Sequence, residues 1–290
     1  MDNVINVGIM GTANIAKKYI LPTLLEMKDK FRIHTIASRD FLKASQTVDL
    51  FGGQAAEGYE NLVNQTSVDL VYIPLPNSLH YEWVKSALEN GKHVLVEKSL
   101  TCSYEQTKDL CDLAMKKKKL LIENFQFLHH AQTRYIDELI QSGYLGDIRC
   151  FRSCFGFPPL PPNDIRYSGK LGGGALLDVG AYPIKATQVF VGEQIEVLSA
   201  NLNRPFDYEV DLWGSAMLKE KEKGIISQIS FGFDNYYQCN VEFWCSKGKL
   251  KADRIFTAPP NYNARVIIET QKGKEEKSIE IAKNLLKAGI

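Results

Sequence analysis

Short β-branched runs alternate with longer stretches of helical period over the first 124 residues of the chain. "VINVGIM", "RIHTIAS", "VDLVYI", "HVLVE" and "KLLIE" read as strands, and "HYEWVKSALENG" and "SYEQTKDLCDLAMKKK" between them have helical spacing. Parallel strands need crossovers, and helices are the usual crossovers, so this alternation predicts βαβ units around a doubly wound parallel sheet. From Phe125 the pattern changes. After one helix-like stretch, "HAQTRYIDELIQSG", come "IRCFRSCFGF", "EVLSANL", "GSAML", "GIISQISFGF", "YQCNVEFWC" and "RVIIET", which alternate apolar and polar residues with turns between them. That is the signature of a mostly antiparallel open sheet with one wet face. The α/β chain therefore divides into a domain over 1–124 and a second α/β domain over 125–290. The lysines of "MKKKKL" read as the solvated C-terminal end of a helix, where cations oppose the negative dipole end.

At 290 residues the chain is long for one core, which favours two. Lys and Arg number 35 against 34 Asp and Glu, so no net field draws it to nucleic acid or to an anionic membrane surface. The apolar runs are strand-sized and fall short of the roughly 18 residues of a membrane span. "MDNVINVGIMG" lacks the basic and apolar regions of a secretory signal. A cytoplasmic protein with no membrane or nucleic-acid partner is expected. Cys102, Cys111, Cys150, Cys154, Cys239 and Cys245 form no C-x-x-C pair, which predicts reduced, mostly buried thiols and no metal site.

After the first strand, "GIMGTANIA" fits G-x-G-x-x-A at Gly11, Ala13 and Ala16, with Ala13 in the middle position. That position is normally Gly because backbone there approaches a pyrophosphate, held at a helix N-terminus by free N–H donors. The second strand ends in "IASRD". Ser38 and Arg39 can donate to a 2′-phosphate, whereas Asp40 is the group that would bond a ribose 2′-hydroxyl. The balance favours NADP(H) over NAD(H).

"GTANIA", "YIPLPNSLHYEWVKSALENGKHVLVEKSL" and "GGGALLDVGAYP", in that order, resemble the Gfo/Idh/MocA family of NAD(P)-dependent oxidoreductases over nearly the whole chain. "ENFQFLHHAQ", "FPPLPPNDIRY" and the Tyr-Pro pair resemble its nucleotide-sugar 3-ketoreductase branch, which tolerates Ala in the glycine loop. The resemblance implies a dinucleotide-binding Rossmann domain, then a domain for substrate binding and oligomerisation, in a dimer or tetramer. It implies Lys98 and Tyr182 as the catalytic pair, and cofactor contacts from Gly11, Ala13, Asn14, Ile15, Ser38, Arg39, Pro74, Leu75, Asn77, His80, Glu97 and Lys98. Asp178, Arg166 and Tyr167 are the substrate-side candidates. The expected reaction is NADPH-dependent reduction of a keto group, at C-3, on a nucleotide-activated deoxysugar.

The chemistry of the residues agrees with that expectation. Hydride addition to a ketone leaves an alkoxide, and a phenol with a pKa near 10 keeps its proton at neutral pH yet releases it to a stronger base. A nearby ammonium eases the release. Asp178 and Tyr182 are four residues apart and share a face if the segment is helical. Pro183 leaves two arrangements open, a kinked helix or a new one beginning there. Ser99 stands where the family commonly has proline after the lysine, leaving open whether the Lys98–Ser99 bond is cis or trans. Relatives usually continue past the last strand with a further helix, so at "KNLLKAGI" that helix is expected to be shortened or missing. Two other functions fit these features: a dehydrogenase of free sugars or diols, and a non-catalytic NADP-binding regulator.

Overall fold

A computed structural model describes residues 4–259 and 262–279. The chain divides into two compact units, Met1–Asn124 and Phe125–Ile290. The first holds six strands: β1 (Ile5–Met10), β2 (Phe31–Ser38), β3 (Gln54–Glu57), β4 (Leu70–Ile73), β5 (His93–Glu97) and β6 (Leu121–Asn124). They pair in the order β3-β2-β1-β4-β5-β6, all parallel. Helices α1 (Leu21–Glu26), α2 (Phe41–Phe51), α3 (Glu60–Val63), α4 (Asn77–Glu89) and α5 (Tyr104–Lys117) make the crossovers. Ile9, Met10, Val71, Tyr72, Ile73, Val94 and Val96 are wholly buried, which is why the central strands read as unbroken apolar runs. The strand order reverses between β1 and β4, so the loops after these two strands flank a crevice at their C-terminal ends. β3, "QAAE", escapes the hydrophobic pattern because it is an edge strand with no fully buried residue.

In the second unit a 3-10 turn at Gln126–His129 precedes α6 (Ala131–Gln141) and β7 (Ile148–Gly156). After α7 (Ala181–Phe190) come β8 (Ile195–Asn203), β9 (Trp213–Glu220), β10 (Ile226–Gly232), β11 (Gln238–Cys245), β12 (Gly248–Asp253), β13 (Ala264–Thr270) and β14 (Gly273–Ile279). The sheet order is β14-β13-β12-β11-β7-β10-β9-β8, and among the described residues β7 and β10 are the one parallel pair of neighbours. α6 packs on β13, and α7 on β7 and β10. Phe151, Val241, Phe243, Leu250 and Val266 lie in the buried core of this unit. On β7, Arg152 alternates with the buried Phe151; it bonds Glu242 and Gln228 across the strands and lies over the Trp244 ring. The sequence pattern misses β12 and β14. β14, "GKEEKSI", is an edge strand whose charges discourage further pairing, so it carries no apolar alternation.

All six cysteines are free, but burial departs from expectation: Cys239 and Cys245 are buried, whereas Cys102 and Cys111 are exposed. Cys111 follows the buried Leu110 on α5 and so falls on its outer side. The shortened helix expected at "KNLLKAGI" lies outside the described residues.

Candidate active site

Gly11 ends β1 with φ of 96°, a left-handed conformation that favours glycine, and its N–H bonds Ala37 O at 2.7 Å. Ala16, at the third fingerprint position, is wholly buried, consistent with close packing of the following helical segment. Beside this turn lies a cavity of about 500 Å³, lined by Gly11, Thr12, Ala13, Ser38, Arg39, Asp40, Lys43, Tyr59, Pro74, Leu75 and Pro76. It brings together six of the residues expected at the cofactor: Gly11, Ala13, Ser38, Arg39, Pro74 and Leu75. Asn14, Ile15, Asn77, His80, Glu97 and Lys98 are outside that lining.

The cavity's electrostatics turn on Asp40. Its carboxylate caps α2, accepting the N–H groups of Leu42 at 3.0 Å and Lys43 at 3.4 Å, so it is engaged by the helix it begins. Arg39 and Lys43 leave two cations at the cavity wall. The Arg39 guanidinium lies near the Tyr59 hydroxyl; burial raises the Tyr59 pKa, and the guanidinium partly offsets the rise. The turn, the Ser38 hydroxyl and the paired cations fit a dinucleotide carrying a 2′-phosphate. Lys43 and Tyr59 escape sequence reading because they lie beyond the strand-end motif. The signal for Lys43 was Asp40 itself, whose place before a helical run marks a cap and brings Lys43 round in the first turn.

His80 is fully buried, with Nδ1 2.8 Å from Ser99 O and Nε2 2.8 Å from Leu75 O. Both nitrogens face main chain, so the ring is a tie between two loops rather than a group presented to the cavity. Glu97, at the end of β5, accepts the Tyr72 hydroxyl and the Asn124 amide, both at 2.7 Å on Oε1. Burial raises its pKa against the lowering effects of those bonds and of Lys98. Lys98 follows on the same loop, and the Lys98–Ser99 peptide is cis.

In the second unit the glycines of "GGGALLDVGAYP" have a specific cause. A Cβ on Gly173 would stand 2.3 Å from Arg166 O, and Gly174 has φ of 108°. They let the chain pass close to its own neighbouring segment. A π-helical turn, Leu176–Gly180, leads directly into α7, with Gly180 and Ala181 both right-handed helical. This decides the arrangement around Pro183: one continuous helical run, with a wide turn just before the residue that lacks an N–H. Tyr182 is half-buried at its start, its ring among Phe125, Phe127, Phe155 and Phe256 at centroid distances of 5.1–6.1 Å.

The substrate-side candidates form a bonded group. Arg166 Nε donates to Asp178 Oδ2 at 2.7 Å, and Nη1 to Asp164 Oδ1 at 3.1 Å. Burial disfavours the guanidinium charge, but the two carboxylates outweigh it and hold the Arg166 pKa above its ordinary value. Tyr167 accepts the Leu160 N–H at 2.9 Å and packs edge-on to Phe233. His130 caps α6 by accepting the Gln132 N–H at 2.9 Å. Among the described residues no group of three or more His, Cys, Asp or Glu converges as metal ligands. Asp211 is the residue that sequence reading missed here: its carbonyl accepts Ala175 N–H at 2.9 Å, and its Oδ2 accepts Leu176 N–H at 2.7 Å.

This fold and these two loop clusters define an NAD(P)-dependent oxidoreductase, and the chain belongs to the Gfo/Idh/MocA family. The family's NAD-binding Rossmann model matches residues 5–125, and a GFO/IDH/MocA C-terminal domain model matches residues 133–251. The chain is similar to the dTDP-3,4-didehydro-2,6-dideoxy-alpha-D-glucose 3-reductase of Actinomadura kijaniata, with 42% identity over 274 residues, 94% of this chain and 82% of that protein. The reductase of the same description from Saccharopolyspora spinosa is 38% identical over 99% of this chain and 86% of its own. The crystal structure of a 3-ketoreductase from Actinomadura kijaniata with NADP and TDP-benzene superposes with a TM-score of 0.94 at 41% identity, covering 99% of this chain and 87% of that one. That enzyme has also been crystallised with a tyrosine replaced by phenylalanine and with a lysine replaced by alanine or glutamate.

Proposed function

We propose that this protein catalyses NADPH-dependent reduction of the C-3 keto group of a dTDP-activated 2,6-dideoxysugar, with Tyr182 as proton donor and Lys98 as its electrostatic partner. The observation that carries the reading is the 42% identity to a dTDP-keto-sugar 3-reductase across 94% of the chain. The site chemistry supports it. NADPH, when bound, supplies the hydride; Ser38, Arg39 and Lys43 would hold its 2′-phosphate, with Gly11 and Ala13 beside the pyrophosphate. Tyr182 gives a proton to the alkoxide oxygen, a role worth roughly 10²–10⁴-fold for a placed general acid. The Lys98 ammonium favours the phenolate that remains.

A second copy of the chain is the proposed partner. The outer face of the second unit's sheet exposes Met217 and Trp244, at 41% and 58% of their full accessibility, beside Arg152 and Gln228, a surface suited to a dimer or tetramer contact. A cytoplasmic setting is in keeping with the reaction, and among the described residues no helix is long and apolar enough to cross a membrane.

The test is an assay in both directions. The purified protein should oxidise NADPH when given dTDP-3,4-didehydro-2,6-dideoxyglucose. Activity confined to oxidation of free sugars or diols would refute the substrate class, and cofactor binding without any turnover would favour a regulatory protein.

A further inference from the structure

We propose that Arg166 is a positioning residue for Tyr182, acting through Asp178; the role rests on the reading of Tyr182 as the proton donor. Arg166 grips the segment before Tyr182 in two ways. Its guanidinium bonds Asp178 Oδ2 at 2.7 Å while its other arm holds Asp164, whose carboxylate also accepts the Arg166 N–H at 3.0 Å. Its carbonyl accepts the Gly174 N–H at 2.9 Å, an approach that the missing Gly173 side chain permits. Asp211 pins the next two N–H groups, those of Ala175 and Leu176. The helical run is thus fixed at its first turn by side chains from two distant segments.

Asp178 lies within that first turn, and its side chain is only 15% exposed. Tyr182 stands four residues later on the same unbroken run, a spacing that places the two residues on one face of it. Without Arg166 a mostly buried carboxylate loses a cation partner and must re-solvate or find another, which turns or loosens the run that aims the phenol. An arginine supplies the fork to hold two carboxylates at once; lysine supplies charge at a single point. Arg166 therefore acts on the orientation of the proton donor, and its effect belongs in the chemical step rather than in substrate affinity.

Steady-state kinetics with NADPH and dTDP-3,4-didehydro-2,6-dideoxyglucose test this on Arg166→Gln, Arg166→Lys, Asp178→Asn and the double Gln/Asn variant. Arg166→Gln should lower kcat by about 10- to 100-fold while KM for either substrate moves less than about threefold. Arg166→Lys should recover part of the loss. The double variant should be no slower than the slower single one, because both break one unit. A raised sugar KM with kcat retained would overturn the proposal by making Arg166 a direct substrate ligand; unchanged kcat or additive losses would overturn it too. Should Arg166→Gln fail to fold, the near-isosteric Asp178→Asn decides by the same split between kcat and KM. Wild-type protein that reduces no keto sugar would instead overturn the reading of Tyr182 itself, and this role with it.

Discussion

Nδ1 of the buried His80 stands 2.8 Å from the carbonyl oxygen of Ser99, the residue that follows Lys98. Nε2 of the same ring stands 2.8 Å from the carbonyl of Leu75, in the wall of the cavity beside the Gly11 turn. One imidazole thus couples the lysine loop to the nucleotide loop. A neutral ring has a single N–H and satisfies one carbonyl at a time, whereas the cation satisfies both. Burial opposes the cation and pulls the His80 pKa below the ordinary histidine value.

Replacing His80 by Leu should cost about 1–3 kcal/mol, the scale of buried carbonyls left unpaired, and lower kcat through a loosened Lys98 loop. Denaturant unfolding checks the first effect and steady-state kinetics the second. A depressed folded-state pKa means that the stability contributed by neutral His80 is present above about pH 6.5 and fades as pH falls through the folded value. Melting temperature should therefore fall less steeply between pH 7.5 and pH 5 in His80→Gln than in wild type, both pH values being about one to two units from the unperturbed pKa. Parallel slopes would contradict the assignment.

Arg39→Ala should raise the KM for NADPH by about 10- to 100-fold, the scale of a charge-assisted hydrogen bond to phosphate, while leaving the KM for NADH nearly unchanged. Lys43→Ala should act in the same direction and more weakly, since lysine meets phosphate as a point charge. Comparing the two cofactors on each variant checks this. Equal weakening of NADPH and NADH would place both side chains away from the 2′-phosphate.

Gly173→Ala should destabilise the protein by at least about 1–3 kcal/mol, the usual cost of overpacking, because the added Cβ meets the Arg166 carbonyl, a main-chain atom that cannot swing away. The disturbed Arg166 grip should also lower kcat. Thermal melting and kinetics on the one variant check both, and a fully active variant of native stability would contradict the close approach.

Residues that act through local pattern were legible in the sequence. The alternation of β1, β2, β4, β5 and β6 with helical stretches announced a parallel sheet, because parallel strands need crossovers. Ser38 and Arg39 followed from their place at a strand end. Residues that act across the fold were not. Asp211 serves the helical run at Leu176 from 35 residues away, and no spacing rule anticipates that. The Arg166–Asp178 bond was hidden likewise, because it joins residues 12 apart across the glycine turn, whereas the Arg166–Asp164 contact is local. β3 and β14 were hidden by the same physics that places them at sheet edges, where an apolar face is not required.

In the proposed reaction the Tyr182 phenol protonates the reduced sugar. Tyr182→Phe keeps the ring among Phe125, Phe127, Phe155 and Phe256 and removes only the hydroxyl. The most direct measurement is kcat for NADPH oxidation with dTDP-3,4-didehydro-2,6-dideoxyglucose, wild type against this variant. Loss of the proton donor should lower kcat by roughly 10²–10⁴-fold with NADPH affinity preserved. A variant that turns over at the wild-type rate would contradict it.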